Sequence, residues 1–151
     1  PNPRFENYLA VHDKWMTRFL DDGFVVEDRC EFTFLPPTIL LQGAIICLNG
    51  LTLEVEKEIA ILGGTRMDAR VQTRRFRYHA WVRGMHNILR YESAHDHRPH
   101  AHKHEYNTFG DGRESRVLDL LDEDEIPTLG EVVAELQLWY QENASQLRRL
   151  S

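Results

Sequence analysis

Apolar residues recur at helical spacing in two stretches of the chain and alternate with polar residues through most of what lies between. Phe5, Tyr8, Leu9, His12, Trp15, Met16, Phe19 and Leu20 form one stripe at three- and four-residue spacing. That stripe predicts an amphipathic helix over residues 4–21, stopping at Asp22-Gly23. Residues 24–35 alternate over short runs and predict a strand, after which Pro36-Pro37 interrupts regular pairing.

Residues 39–48 and 51–62 flank Asn49-Gly50 and predict a β-hairpin, because Asn-Gly supplies the two positive φ angles of a tight I′ turn. In the second arm Leu51, Leu53, Val55, Ile59 and Ile61 alternate with Thr52, Glu54, Glu56 and Glu58, giving an apolar face and an acidic one. Lys57 is the one charged residue on the apolar side.

After a break at Gly63-Gly64, residues 71–82 place Phe76, Tyr78, Ala80 and Val82 on one face and Arg75, Arg77, His79, Trp81 and Arg83 on the other. A turn at Gly84 leads into an antiparallel strand over 87–95, and 100–106 predicts a short strand with His100, His102, His104 and Tyr106 on one side. Beyond Gly110-Asp111-Gly112, Val117, Leu118, Leu120 and Leu121 make a last strand or docking segment. Thr128 and Glu131 form a capping box ahead of a helix over 129–142, marked by Leu129, Val132, Val133, Leu136 and Tyr140. The expected fold is a single α+β domain over 1–151: an N-terminal helix, an antiparallel β-meander and a C-terminal helix.

Composition leaves that picture intact. At 151 residues, 42% hydrophobic and 28% charged, the chain can bury a core without staples. The apolar run 38–48 is broken by Gln42 and Gly43 and falls far short of the ~20 residues of a membrane span. With no signal-peptide pattern and only Cys30 and Cys47, both in apolar contexts that favour thiols over a disulfide, a cytoplasmic protein without membrane contact is expected.

Charge distribution changes the picture more than the net charge of -6. Arg66, Arg70, Arg74, Arg75, Arg77, Arg83 and Arg90 meet only Asp68 between positions 66 and 91, whereas residues 111–125 hold seven acids against Arg113 and Arg116. Lys14, Lys57 and Lys103 are the only lysines, so fifteen of eighteen cations are arginine, the residue suited to phosphate and to stacking on bases. A merely solvated face mixes signs, so a basic face short of acids suggests a polyanion such as RNA or an acidic partner.

Histidine concentrates the candidate chemistry. His95, His97, His100, His102 and His104, five of eight histidines, fall within ten residues. Metal-free RNA cleavage needs a base for the 2′-hydroxyl, an acid for the 5′ oxygen and cations for the phosphate, which imidazoles and arginines supply. His79, His102 and His104 with Lys103 and Tyr91 are the candidate catalytic residues, and Arg75, Arg77, Trp81, Arg83 and Arg90 the candidate RNA and phosphate contacts. This reading needs no cofactor.

Two rivals stand beside it. Alternate strand histidines could share a metal through His95, His97, His100 and His102, although no Cys-x-x-Cys or His-Glu-x-x-His pattern accompanies them. A non-enzymatic module that docks RNA or an acidic protein would use the arginines alone. His12, on the apolar side of the first helix, is expected to be a satisfied core histidine, and His86 a loop residue.

The segments Tyr78-His79-Ala80-Trp81, Asn87-Ile88-Leu89-Arg90-Tyr91-Glu92, Ala94-His95, Ala101-His102-Lys103-His104 and Pro127-Thr128-Leu129 resemble the TumE family, the toxin half of bacterial toxin-antitoxin pairs. The resemblance is close over 74–106 and looser over 24–140. Glu92-Ser93 stands where the family pattern has Asp-Asn, and Ala101 replaces its first histidine. The resemblance implies a toxin acting on RNA or translation and neutralised by a cognate antitoxin protein, and carries over His79, Arg90, Tyr91, His102, Lys103 and His104. The sequence leaves open whether the chain forms a homodimer. A helix before an antiparallel sheet also looks like the RelE-type ribonuclease toxins, an analogy of fold.

Overall fold

A computed structural model describes residues 2–84, 86–93 and 101–150. Helix α1 (Phe5–Asp21) precedes eight strands, β1 (Val25–Asp28), β2 (Glu31–Leu35), β3 (Thr38–Cys47), β4 (Leu51–Gly63), β5 (Arg70–Val82), β6 (Asn87–Ser93), β7 (Ala101–Tyr106) and β8 (Glu114–Leu120), and helix α2 (Leu129–Leu150) closes the chain. All strand pairs are antiparallel in the order β1-β3-β4-β5-β6-β7-β8, with β2 also on β3. The architecture is the expected α+β one of helix, antiparallel sheet and helix.

Both helices pack on one face of the sheet. Met16 and Phe19 of α1, with Leu129, Val132, Val133, Leu136 and Leu147 of α2, join Leu41, Ile45, Leu53, Val55, Tyr78 and Ala80 in the main core. A smaller cluster of Phe5, Ile39, Ile59, Ala69 and Val71 lies under the start of α1. Lys57 sits between the two clusters, its ammonium 4.7 Å from the Tyr8 ring and 6.0 Å from the Tyr78 ring. Burial lowers its pKa to about 8, while the aromatic faces partly replace lost hydration.

Two expectations need correction. The strand over 24–35 is two strands laid end to end along the same edge of β3, since Asp28 pairs with Ile45 and Glu31 with Gln42. The joint at Arg29 and Cys30 presses onto Gly43, where φ is +147° and an added Cβ would lie 2.4 Å from the Arg29 carbonyl oxygen. The last helix does not stop at 142. It continues to Leu150 because Leu147, seven residues after Tyr140, reaches the same core.

Other local signals hold. Asn49 and Gly50 both have positive φ, as a I′ turn requires, and the Leu51 N–H bonds back to the Leu48 carbonyl. Leu48 is an extra residue outside the ladder, so Ile46 rather than Cys47 faces Thr52. At α2 the Glu131 N–H donates to Thr128 Oγ1 (3.2 Å) and the Thr128 N–H to Glu131 Oε1 (3.0 Å). Both cysteines are free thiols, with Cys47 pushed up to about 12 by burial. His12 bonds Asp28 (3.1 Å) and meets Phe32 edge-on.

Candidate functional site

The strand registers assign each candidate side chain to a face. On the face opposite the helices, one cross-strand row runs Ala44, Glu54, His79, Arg90, His104, Val117 from β3 to β8. The next row, two residues along the strands, runs Gln42, Glu56, Arg77, Glu92, His102, Asp119. Leu40, Glu58 and Arg75 begin a third.

The first row brings two imidazoles to either side of one guanidinium. His79 Nε2–H donates to Asn87 Oδ1 (2.8 Å), which leaves Nδ1 as the acceptor of the neutral ring. Its pKa is lowered by burial, and the positive charges of Arg77 and Arg90 act in the same direction against Asn87 and Glu54. The ring centroid lies 5.2 Å from that of Trp81.

His104 has the opposite environment. Its Nε2 lies 2.9 Å from Glu92 Oε1 and its Nδ1 bonds Glu114. Both contacts are hydrogen bonds at once only when the ring carries two N–H groups, the imidazolium form. Between the two histidines, Arg90 reaches Glu92 through its terminal nitrogen (3.4 Å), while its buried Nε lies 3.4 Å from the other Glu92 oxygen without an aligned hydrogen bond. Tyr106 lies near the same groups: burial raises its hydroxyl pKa, Glu92 and Glu114 add to the rise, and Arg90 and Arg77 offset part of it.

His102 shares the face but sits one row away, its Nδ1 2.8 Å from Asp119. Arg75 lies 3.8 Å from Glu58 and is largely exposed. Arg83 follows β5 in a turn, its N–H on the Gly50 carbonyl (2.9 Å), and stands outside the rows.

Tyr91 and Lys103 do not join this face. They pair with each other across β6 and β7 on the helix side, in the row that continues from Val55 and Tyr78. The Tyr91 hydroxyl donates to Glu135 of α2 (2.6 Å) and the Lys103 ammonium to the other oxygen of Glu135 (2.5 Å). Lys103 also lies 3.2 Å from Glu105, which in turn takes Arg116 at 2.6 Å. Burial opposes the charge on Lys103, but Glu135 outweighs it and raises the pKa, so the ammonium stays charged rather than acting as a base. These two residues dock α2 on the sheet, so of the five catalytic candidates only His79, His104 and, a row away, His102 share the charged face.

The expected basic face is also corrected. The run 66–91 is short of acids in sequence, but its neighbours in space supply them: Glu54, Glu56 and Glu58 from β4, Glu92 from β6 and Asp119 and Glu114 from β8. The face is a lattice of alternating signs. Glu92 had a visible signal, since it shares the parity of Arg90. Asn87 and Glu135 had none: Asn87 reaches His79 because of a register shift after Ala80, and Glu135 lies on a distant helix.

Of the metal candidates, His95, His97 and His100 lie outside the described residues; among the described residues no group of three or more ligating side chains is arranged to hold a metal ion. No described helix is long and apolar enough to cross a membrane. No family model matches the chain, and neither does any curated protein or solved structure.

Proposed function

We propose that the protein is a metal-independent endoribonuclease that serves as the toxin of a toxin-antitoxin pair. The observation that carries the chemistry is the row His79, Arg90, His104. Adjacent strands lie ~4.8 Å apart, so the two histidine backbones are about 10 Å from each other with the guanidinium between them. One phosphate on Arg90 would have an imidazole on either side.

The two environments suit opposite roles. His79 is held neutral, its Nε2–H tied to Asn87, so Nδ1 takes the 2′-hydroxyl proton. The freed 2′ oxygen attacks phosphorus, the bond to the 5′ oxygen breaks, and the His104 imidazolium gives its proton to that leaving oxygen. The products are a 2′,3′-cyclic phosphate and a 5′-hydroxyl end. Arg90 offsets the charge that builds on the phosphoryl oxygens. Association with Arg90 draws on a cation whose Glu92 contacts, at 3.4 Å, are long.

The toxin role, the RNA substrate and the antitoxin partner rest on the resemblance to the TumE family. The decisive experiment incubates purified protein with total RNA in chelator, beside His79→Ala and His104→Ala variants. Cleavage by the parent and not by either variant, with folding intact by circular dichroism, is the expected result. Equal cleavage by all three would sink the assignment.

A second reading is a non-catalytic RNA- or protein-binding module. It is favoured by the carboxylates already bonded to His102 and His104, which make the face a charge lattice of the kind used to select a partner. Intact RNA in every lane together with salt-sensitive binding would favour it.

A further inference from the structure

A cavity of about 420 Å³ opens on the charged face, one row from His79, Arg90 and His104, lined by Leu40, Gln42, Glu56, Arg75, Arg77 and Glu92 among others; Glu92, on the other side of Arg77, is already engaged by Arg90 and His104. That volume lies within the range of small-ligand pockets, roughly 300 to 1,000 Å³. Within it Glu56 of β4 and Arg77 of β5 face each other in register. Their neighbours Glu58 and Arg75 approach to 3.8 Å, whereas among the described residues Glu56, Arg77 and Gln42 have no side-chain hydrogen bond or ion pair. A carboxylate and a guanidinium side by side, each with its hydrogen-bonding capacity unused, present two acceptors followed by two donors.

Guanine is the base whose edge is the complement of that order. It presents N2–H and N1–H as adjacent donors, then O6 and N7 as adjacent acceptors, and an arginine fork matches the latter pair. Adenine sets one amino donor between two acceptors, cytosine one donor beside an acceptor, and uracil one donor between two carbonyls. None gives a carboxylate two neighbouring donors.

We propose that this cavity is a guanine-reading subsite, with Glu56 accepting N1–H and N2–H, Arg77 donating to O6 and N7, and Leu40 forming an apolar wall. The subsite lies two residues along the strands from Arg90, about 7 Å, the scale of one nucleotide. Cleavage therefore falls after guanosine. That consequence rests on the ribonuclease reading above, while the base contact itself does not.

Calorimetry with 3′-GMP, 3′-AMP, 3′-CMP and 3′-UMP tests the contact without chemistry. The expected result is a preference of about tenfold or more for 3′-GMP, the scale of one good bidentate pair. It is lost in Glu56→Gln, which keeps the shape and turns an acceptor into a donor, while 3′-AMP binding is unchanged. Arg77→Lys, which keeps the charge and loses the fork, reduces the same preference. Glu56 is exposed, so the fold tolerates its substitution.

Equal affinities for the four nucleotides, or a guanine preference that survives Glu56→Gln, would overturn the subsite. GpU and ApU substrates separate the two proposals. Cleavage of both at equal rates overturns the subsite and leaves the ribonuclease. A guanine preference in binding that depends on Glu56, with neither substrate cleaved, supports the subsite and overturns the ribonuclease.

Discussion

His79 and His104 stand on opposite sides of Arg90 in a single row across β5, β6 and β7. One is held by an amide oxygen and the other by two carboxylates. Similar side chains, placed two strands apart, are thereby given different environments, which on the ribonuclease reading proposed above suit them to opposite proton-transfer roles.

On the ribonuclease reading proposed above, the lowered pKa of His79 is expected to set the acid side of the pH profile. A base must be unprotonated, so the RNA cleavage rate rises as pH climbs through a value below the 6.5 of an ordinary histidine, because burial and the nearby arginines disfavour the charged ring. Replacing Asn87 with Leu removes a contact that favours the protonated ring and shifts that limb further down. Rates measured from pH 4.5 to 8 check this, and a limb above 6.5 would contradict it. The same depression gives a stability contribution present above the unfolded pKa and lost as pH falls through the folded one.

Lys103 and Tyr91 bond Glu135 on the helix side of the sheet, away from the row of His79, Arg90 and His104. Glu135→Ala, Lys103→Met and Tyr91→Phe are expected to lower stability, with Glu135→Ala costing about 1 to 3 kcal/mol because it removes the closer of the two carboxylates on a largely buried ammonium and leaves it only Glu105. Cleavage at 20 °C stays near that of the parent. Urea unfolding paired with activity distinguishes this from a catalytic role, which would abolish cleavage without a stability loss.

Lys57 carries a charge between two apolar clusters at neutral pH. Its folded pKa of about 8 lies below its ordinary value of 10.5, so the unfolded chain binds more protons between those limits and stability rises with pH there. Lys57→Met is expected to gain about 1 to 2 kcal/mol at pH 7, after allowing for the lost ring contacts, and less at pH 9.5. Thermal denaturation at both pH values provides the check, and an equal gain at each would argue against a depressed amine.

Gly43 permits β1 and β2 to share one edge of β3. Gly43→Ala would drive a methyl group into the Arg29 carbonyl, 2.4 Å away, at a φ of +147° that side chains rarely adopt. A loss of about 3 kcal/mol or more is expected. Chemical denaturation of the single variant measures it, and a change below 1 kcal/mol would mean that the joint at Arg29 and Cys30 is free to move.

Local patterns made the elements legible. Helical spacing in α1 and the Thr128 and Glu131 capping box needed only neighbours in sequence, as did the Asn49-Gly50 turn and the two faces of β4 and β5. Parity along β5 was enough to put Arg75, Arg77, His79 and Trp81 together. The division of residues 24–35 was not legible, because it depends on the close approach of Arg29 to Gly43, fourteen positions later, and alternation carries no record of which strand a segment will meet.

The sequence by itself determined which side chains share a strand face, since that follows from a two-residue period within each segment. Only the tertiary structure decided which charges meet, because register between strands is a non-local quantity set by the packing of the whole apolar face. It turned a run of arginines without acids into a lattice with Glu54, Glu56, Glu58 and Glu92. It sent Lys103 and Tyr91 to Glu135 on α2, and it left Glu56 and Arg77 facing each other without an ion pair.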